Sequence, residues 1–348
     1  MQKINVLQLV TGLGMGGAEK VVLDLAKYTS KDKFNTFVVA MSKREELLEE
    51  FLLSGINTTM LKKSNSLTDL IDIIRAVNKF IKTNNIQIIH AHMTHSIIVA
   101  SIIKVLNPSI KIVYTSHNLN IGSKVREMII WSLKVFRNLN IVFSKDILKF
   151  FYKKNYKIIP NGIKVDKYSL NLEKNKKFTF IAVGRLETVK NHIFLIEIAN
   201  ELKNKYDFEI QIVGNGYLKE ELENLIQKYN LENYVKLLGL RNDIPQLLGQ
   251  SHCLLMPSLW EGLPIVILEA GASSLPVVST PVGSVPSLLN GENAYLVELD
   301  GFKNKMIEVL EDRENATLKG KKLFEEINLK YSIEAIVEAH EKIYQESV

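Results

Sequence analysis

The sequence predicts an α/β protein built from two doubly wound, parallel-sheet domains. Three observations carry this prediction. Short apolar runs alternate with segments of helical period along the whole chain, the pattern of βα units and not of hairpins. Glycine-rich or Asn-Gly turns follow several of these runs, where an open parallel sheet gathers its loops. And 348 residues with 46% apolar and 24% charged content suit a soluble chain with room for two cores.

The elements follow in order. Ile4–Val10 is an apolar strand interrupted by Gln8. Thr11-Gly12-Leu13-Gly14-Met15-Gly16-Gly17 leads into a helix from about Gly17 to Tyr28, with apolar residues at 21, 22, 25 and 26. Gly12, Gly14 and Gly17 satisfy the dinucleotide-binding spacing, but that site needs a carboxylate at the end of the second strand. Thr36–Met41 ends instead in Ser42-Lys43, which argues against a nicotinamide cofactor. Ile56–Leu61 is a strand, and Leu67–Thr83 an amphipathic helix. Ile86–His90 is the next strand, running into Ala91-His92-Met93-Thr94-His95. Three histidines so close raise a metal site, but no acidic or cysteine partner lies nearby and zinc takes three or four ligands. Lys111–Thr115 ends at Ser116-His117-Asn118, and a histidine at a strand's carboxyl end can donate a hydrogen bond or work as acid or base near neutral pH.

Residues 124–137 form a basic helix with a bulky apolar side that includes Trp131. Two readings stand: an interfacial helix on anionic lipid, or a core helix with a solvated basic face. The first half is basic throughout. Residues 1–170 hold 25 Lys and Arg against 12 Asp and Glu, the remainder 19 against 26, so the first half suits an anionic partner or membrane surface. No recognised nucleic-acid module accompanies the patch. A strand at Asn140–Ser144, a short helix at Lys145–Tyr152 and a turn at Pro160-Asn161-Gly162 complete this half, and the polar run Asn171–Lys177 is the best linker.

A second series opens with Phe178–Val183, followed by Gly184-Arg185-Leu186-Glu187-Thr188-Val189-Lys190. Two cations converging on a helix N-terminus suit a diphosphate. Phe208–Val213 precedes Gly214-Asn215-Gly216, and Val235–Leu238 precedes Gly239-Leu240-Arg241. Ser251–Met256 is a buried strand. Glu261-Gly262-Leu263-Pro264 is a tight loop, with Pro264 suited to the first position of a helix that runs from Ile265 to about Ser273. Strands at Pro276–Thr280 and Ala294–Val297 and a helix at Ser332–Gln345 close the chain. One cysteine, Cys253, allows no disulfide and suits a reducing cytoplasm. No run approaches the roughly 18 apolar residues of a spanning helix, and Met1–Leu7 lacks a signal-peptide pattern.

Residues 256–271, with Glu-Gly-Leu-Pro and a second Glu before Ala, resemble the E-x7-E signature of family 4 retaining glycosyltransferases of the GT-B fold, the glycosyltransferase group 1 that includes glycogen-synthase-like and sucrose-synthase-like enzymes. Gly-Arg-Leu…Lys at 184–190, Gly-Gly-Ala-Glu at 16–19, Tyr-Thr-Ser-His-Asn at 114–118 and Pro-Asn-Gly-Ile at 160–163 resemble further segments of the same family. The resemblance implies two Rossmann-like doubly wound domains facing a central cleft. Residues 1–168 would bind acceptor and 169–331 the nucleotide sugar, with a final helix at 332–348 crossing back. It implies that Arg185 and Lys190 hold the donor diphosphate, Glu261 the donor sugar and Glu269 the ribose. Gly16, Gly17, Gly184, Gly214, Gly239, Leu240, Gly262, Leu263, Pro264 and Ile265 would line the donor. His117, Arg185, Lys190 and Glu261 would carry catalysis, and Met15, His92, His117 and Asn118 would lie on the acceptor side.

The expected reaction is transfer of a hexose or N-acetylhexosamine, with retention, from a nucleoside diphosphate sugar to a glycan hydroxyl. A UDP-sugar is favoured as donor, and a lipid-linked intermediate of bacterial surface polysaccharide as acceptor. No cofactor or metal is expected, since the sequence carries no Asp-x-Asp pair. The protein would be cytoplasmic, held peripherally on the inner face of the membrane. Three alternatives stay open. A glycoside hydrolase would use Glu261 and Glu269 as its pair, but on one helix they would lie about 12 Å apart, wider than the roughly 5–9.5 Å of hydrolase pairs. A nucleotide-sugar epimerase on the same fold competes better, and a non-catalytic nucleotide-sugar-binding protein is the third.

Overall fold

The computed structural model describes residues 3–15, 17–64, 67–117, 124–143, 155–262 and 264–348. Gly16, Asn118, Leu263, Ser144 and the expected helix Lys145–Tyr152 lie outside the described residues. The chain divides into two compact units, Met1–Gly162 with Ile333–Val348, and Ile163–Ser332.

Unit 1 alternates as expected: β1 (Ile4–Val10), α1 (Gly17–Tyr28), β2 (Phe34–Ser42), α2 (Leu48–Leu53), β3 (Asn57–Lys63), α3 (Leu67–Thr83), β4 (Ile88–His92), α4 (Met93–Leu106), β5 (Lys111–Thr115), α5 (Lys124–Ser132), β6 (Leu139–Val142) and β7 (Tyr156–Ile158). Its parallel sheet has the order β3-β2-β1-β4-β5-β6-β7. Connections run outward in both directions from β1 and β4, so the crevice at their carboxyl ends is the natural ligand site. β4 ends two residues later than expected, so His90 lies inside the strand and His92 at its end.

Unit 2 contains β8 (Phe178–Val183), α6 (His192–Leu202), β9 (Phe208–Val213), α7 (Lys219–Lys228), β10 (Val235–Gly239), α8 (Ile244–Gln250), β11 (Cys253–Met256), α9 (Ile265–Ala272), β12 (Val277–Ser279), β13 (Tyr295–Leu296), α10 (Leu299–Glu311) and α11 (Arg313–Tyr331). Its sheet has the order β10-β9-β8-β11-β12-β13, with the corresponding crevice between β8 and β11. The last helix, α12 (Ile333–Ser347), packs in unit 1.

The central strands of both sheets are buried on both faces, and so read as continuous apolar runs. In unit 1, Leu7, Leu9, Ile89, Ala91 and Ile112 meet α3 and α4 through Ile73, Val77, Ile81, Ile97 and Ile103. The opposite face presents Val6, Ile88, Val113 and Ile141 to Ile336, Ile343 and Tyr344 of α12. Each such side chain contributes roughly 1.5–3 kcal/mol by leaving water, so α12 is a full layer of unit 1.

Two expectations change, and one open choice narrows. The units divide at Gly162/Ile163, not at 168/169, because Ile163, Val165 and Tyr168 pack into the core of unit 2 and the Ile163 amide donates to the Tyr331 carbonyl. The polar run 171–177 is part of unit 2, tied by the Asn175 amide to the Gln250 carbonyl and by Lys174 Nζ to that of Ser251. Residues 124–137 are α5 followed by a 3-10 turn at Leu133–Phe136, and only Ile130 of α5 is fully buried. Val125, Met128, Trp131 and Val135 are exposed, with Lys134 Nζ 4.0 Å over the Trp131 ring. Of the two readings of this helix, the one with its apolar side in a core does not hold, since that side faces outward. Among the described residues no helix is long and apolar enough to cross a membrane.

Candidate functional site

In unit 2 the expected donor residues gather at the β8/β11 crevice. The chain leaves β8 at Gly184 and makes a 3-10 turn at Thr188–Lys190, and Asn191 takes the left-handed conformation, φ +55°, that starts α6. This turn lays the Lys190 methylenes against Gly184 and carries its ammonium to Glu261, Nζ to Oε1 2.6 Å. Ser258 Oγ donates to the same oxygen at 2.7 Å. Glu261 is 7% exposed. The loops after β8 and β11 are knit together by the Leu259 amide donating to the Val189 carbonyl and Asn191 Nδ2 to that of Pro257. Gly283 braces the loop from behind. Its φ is +57°, and a Cβ there would stand 1.7 Å from the Glu261 carbonyl oxygen.

Arg185 does not join Lys190. Its Nη1 pairs with Glu187 Oε1 at 2.9 Å, and the side chain is exposed. The expected pair of converging cations is thus one half-buried ammonium and one exposed guanidinium, each on its own carboxylate. Gly184, Gly214 and Gly239 end β8, β9 and β10, with the Gly214 amide donating to the Gly239 carbonyl. Leu240 beyond them is exposed. Gly262 accepts the Ser284 hydroxyl on its carbonyl.

Pro264 is the N-cap of α9, one position before the expected place, and Ile265 is the first helical residue. No side chain caps this turn. The Ile267 amide donates to the Pro264 carbonyl, and the positive end of the dipole still favours an anion here. Glu269, one turn in, accepts from the Tyr168 hydroxyl at 2.6 Å. Burial raises the carboxyl above its ordinary value, with the Tyr168 hydrogen bond opposing. Burial beside this carboxylate also raises the Tyr168 phenol. Glu261 and Glu269 thus serve different partners.

Unit 1 holds a cavity of about 820 Å³ at the β1/β4 crevice, lined by Thr11, Gly12, Arg44, His95, His117 and Arg126 among others. A Cβ at Gly12 would lie 2.4 Å from Ser42 Oγ and 3.0 Å from Arg44 Cβ, so the end of β2 packs closely on this glycine. A second cavity of about 290 Å³, walled by Met41, Leu70, Ile73, Ile98 and Val99, shares Thr11, Ser42 and His95 with the first. Met15 is exposed.

His92 and His117 meet, Nδ1 to Nε2 2.9 Å. The contact belongs to a larger buried network. His92 Nε2 lies 2.7 Å from Gln8 Oε1, and Gln8 Nε2 donates to the Tyr344 hydroxyl at 3.0 Å. That hydroxyl lies 2.7 Å from His90 Nδ1, and His90 Nε2 lies 2.7 Å from Thr115 Oγ1. Gln8 stands opposite His90, and His92 opposite Thr115, in the sheet register, so β1, β4 and β5 place these side chains on one face. Burial lowers all the histidines concerned: His90 and His92 well below the ordinary value, His117 to about 3 and His340, beside His90, to about 4. They are neutral at pH 7. The Gln8 interruption was visible in the sequence, but the parts played by His90, Thr115 and Tyr344 were not. Register and a contact 336 residues apart supply them.

Two family models match consecutive stretches, Glycosyltransferase Family 4 over residues 15–167 and Glycosyl transferases group 1 over 166–325. The chain is 28% identical over 336 residues to UDP-Gal:alpha-D-GlcNAc-diphosphoundecaprenol alpha-1,3-galactosyltransferase of Escherichia coli, covering 86% of each protein. It is 28% identical over 303 residues to the capsular polysaccharide biosynthesis glycosyltransferase CapH of Staphylococcus aureus, covering 80% of this chain and 82% of that one. Among solved structures, HepE of Anabaena in complex with UDP superposes with a TM-score of 0.81 at 20% identity, covering 99% of this chain and 100% of that one. A glycosyltransferase from Rickettsia africae gives 0.85 at 17% identity, with 99% of each chain covered. The two parallel-sheet units are those of the GT-B fold, and the chain belongs to the family 4, group 1 glycosyltransferases.

Proposed function

We propose that this glycosyltransferase moves a hexose or N-acetylhexosamine from a UDP-sugar, with retention and without a metal ion, to a hydroxyl of a lipid-linked glycan in surface polysaccharide assembly. The observation that carries the reading is the Lys190–Glu261 pair in the β8/β11 crevice, in the loops beside the uncapped start of α9. In the reaction the bond from the anomeric carbon to the diphosphate oxygen breaks and a bond to the acceptor oxygen forms. Negative charge collects on the departing diphosphate. Lys190, Arg185 and the first amides of α9 meet that charge. Removing one such preorganised donor costs about 3 kcal/mol, roughly a hundred-fold or more in kcat. Glu261, held by Lys190 and Ser258, orients the sugar, and Glu269 the ribose. The protein carries this charge with its own cations, in keeping with a sequence that has no Asp-x-Asp pair.

The donor and acceptor classes are supported by relatives. The Escherichia coli relative's name joins a UDP-sugar to a diphosphoundecaprenol acceptor, and the Anabaena neighbour binds UDP. The exposed row Val125, Met128, Trp131 and Val135 with its neighbouring lysines suits an anionic bilayer on the cytoplasmic side.

The test is incubation with a panel of radiolabelled UDP-sugars and an undecaprenyl-diphosphate-linked monosaccharide, with and without EDTA. A lipid-extractable product with the donor's anomeric configuration, formed equally in EDTA, is expected. An inverted product, loss of activity in EDTA, or only an epimer or free sugar refutes the corresponding part. Flotation with phosphatidylglycerol vesicles, compared with Trp131→Ala/Lys134→Glu, tests the membrane part. Equal binding by both proteins sinks it.

A further inference from the structure

The buried network in unit 1 does more than satisfy polar atoms, because its six side chains are joined end to end by five hydrogen bonds. A neutral imidazole donates from one nitrogen and accepts at the other. A hydroxyl can do either. Only the amide of Gln8 has a fixed donor end and a fixed acceptor end, so Gln8 sets the direction of the whole chain. Its oxygen faces His92 and its nitrogen faces Tyr344.

The consequences follow in both directions. Toward Tyr344, the hydroxyl accepts from Gln8 and so gives its own proton to His90 Nδ1. His90, neutral, then carries its proton on Nε2 and donates to Thr115 Oγ1. Toward the cavity, His92 must donate from Nε2 to the Gln8 oxygen. His92, neutral, is then an acceptor at Nδ1, and His117 donates to it from Nε2. His117 lines the 820 Å³ cavity. Its one remaining ring nitrogen, Nδ1, is left as a lone pair.

We propose that Gln8 is a positioning residue that holds His117 as the Nε2–H tautomer, so that its Nδ1 presents only a hydrogen-bond acceptor to whatever occupies the cavity. The group it selects is a hydroxyl. A phosphate or carboxylate oxygen at the same place would meet lone pair against lone pair. The functional consequence rests on the reading that this cavity takes a sugar substrate. The tautomer does not, and the two fail separately.

The experiment is two-bond 15N–1H correlation spectroscopy of 15N-histidine-labelled full-length protein at pH 7.5, with His117 assigned by loss of its signals in His117→Gln. The expected result is a pyrrole-type Nε2 and a pyridine-type Nδ1 for both His92 and His117. An Nδ1–H pattern at His117 overturns the proposal outright, with no variant needed. Gln8→Leu removes the amide that sets the direction, so His92 Nε2 loses its fixed acceptor. The His117 signals should then shift toward a mixture of tautomers, and kcat should fall at least ten-fold with little change in KM for the donor. Thr115→Val lies beyond Tyr344 and should leave the His117 pattern in place. A Gln8→Leu protein with an unchanged His117 pattern refutes the positioning role. A correct tautomer with no transfer to any sugar acceptor sinks the substrate reading alone.

Discussion

Lys190 and Glu261 are best separated by a double-mutant cycle. The pair is 2.6 Å long, with side chains 20% and 8% exposed. Lys190→Met leaves a buried carboxylate with Ser258 Oγ as its remaining side-chain donor. Removing one member of a buried pair costs about 3–5 kcal/mol, and the partial exposure of Lys190 puts this case near the lower figure. For a domain of this size 1 kcal/mol is about 2–4 °C, so Tm should drop by about 6–12 °C. Glu261→Gln removes the charge and leaves an ammonium that reaches water, so about 1 kcal/mol is expected. Lys190→Met/Glu261→Gln has no stranded charge and should return to within about 1 kcal/mol of wild type, a coupling of about 3–4 kcal/mol. Activity should behave differently. Lys190→Met should lose roughly 100- to 1000-fold in kcat, and the double variant should stay inactive. Scanning calorimetry and UDP release measure the two quantities. Additive stability losses would mean that the pair is not coupled. Recovery of transfer in the double variant would reduce Lys190 to a structural role.

Three further outcomes are expected. His90, His92, His117 and His340 bind protons more weakly folded than unfolded. Their contribution is therefore present above about pH 6.5 and is lost as pH falls, by up to about 1.4 kcal/mol per unit and histidine. Between pH 7 and 5.5 unit 1 should lose about 5 kcal/mol, and a flat calorimetric Tm over that range refutes it. Glu269 has the opposite sign: a carboxyl raised by burial costs stability as pH rises through its folded value. Glu269→Gln should accordingly be more stable than wild type at pH 7, equal to it below about pH 4, and weaker in UDP-sugar affinity by titration calorimetry. Gly283→Ala combines left-handed strain of about 1–3 kcal/mol with a Cβ 1.7 Å from the Glu261 carbonyl. It should displace the Glu261 loop and abolish donor-induced thermal stabilisation, and normal stabilisation by UDP-sugar would contradict this.

Much of the fold was legible because parallel sheets covered on both faces leave largely apolar runs, and β1, β5 and β8 were each readable from such a run. The donor loops were legible because motif spacing is local: Gly184 to Lys190 lies in one turn, and Glu261 to Glu269 in one loop and helix. What those residues do to one another was not. That Lys190 rests on Glu261 while Arg185 pairs with Glu187 depends on a 3-10 turn and a left-handed asparagine that no periodicity reports. The unit boundary was misplaced because Ile163–Tyr168 is short and polar-flanked in sequence, and its burial comes from α9 and α11 far downstream. The helix at Lys124 was read as amphipathic on sound grounds, but amphipathicity does not say which side faces water.

The contact between Gln8 and Tyr344 also sets an order of events during synthesis. All seven strands of unit 1 are made before any of unit 2, yet the hydroxyl that completes their polar face arrives only after residues 163–332 have been translated. At about 5–20 residues per second that interval lasts roughly 10–35 s. Through it, Gln8, His90 and His92 sit on a sheet face that lacks its covering helix. Unit 2 can therefore be finished first, although it comes second along the chain, and a nascent chain stalled before residue 333 would expose the face that α12 is made to close.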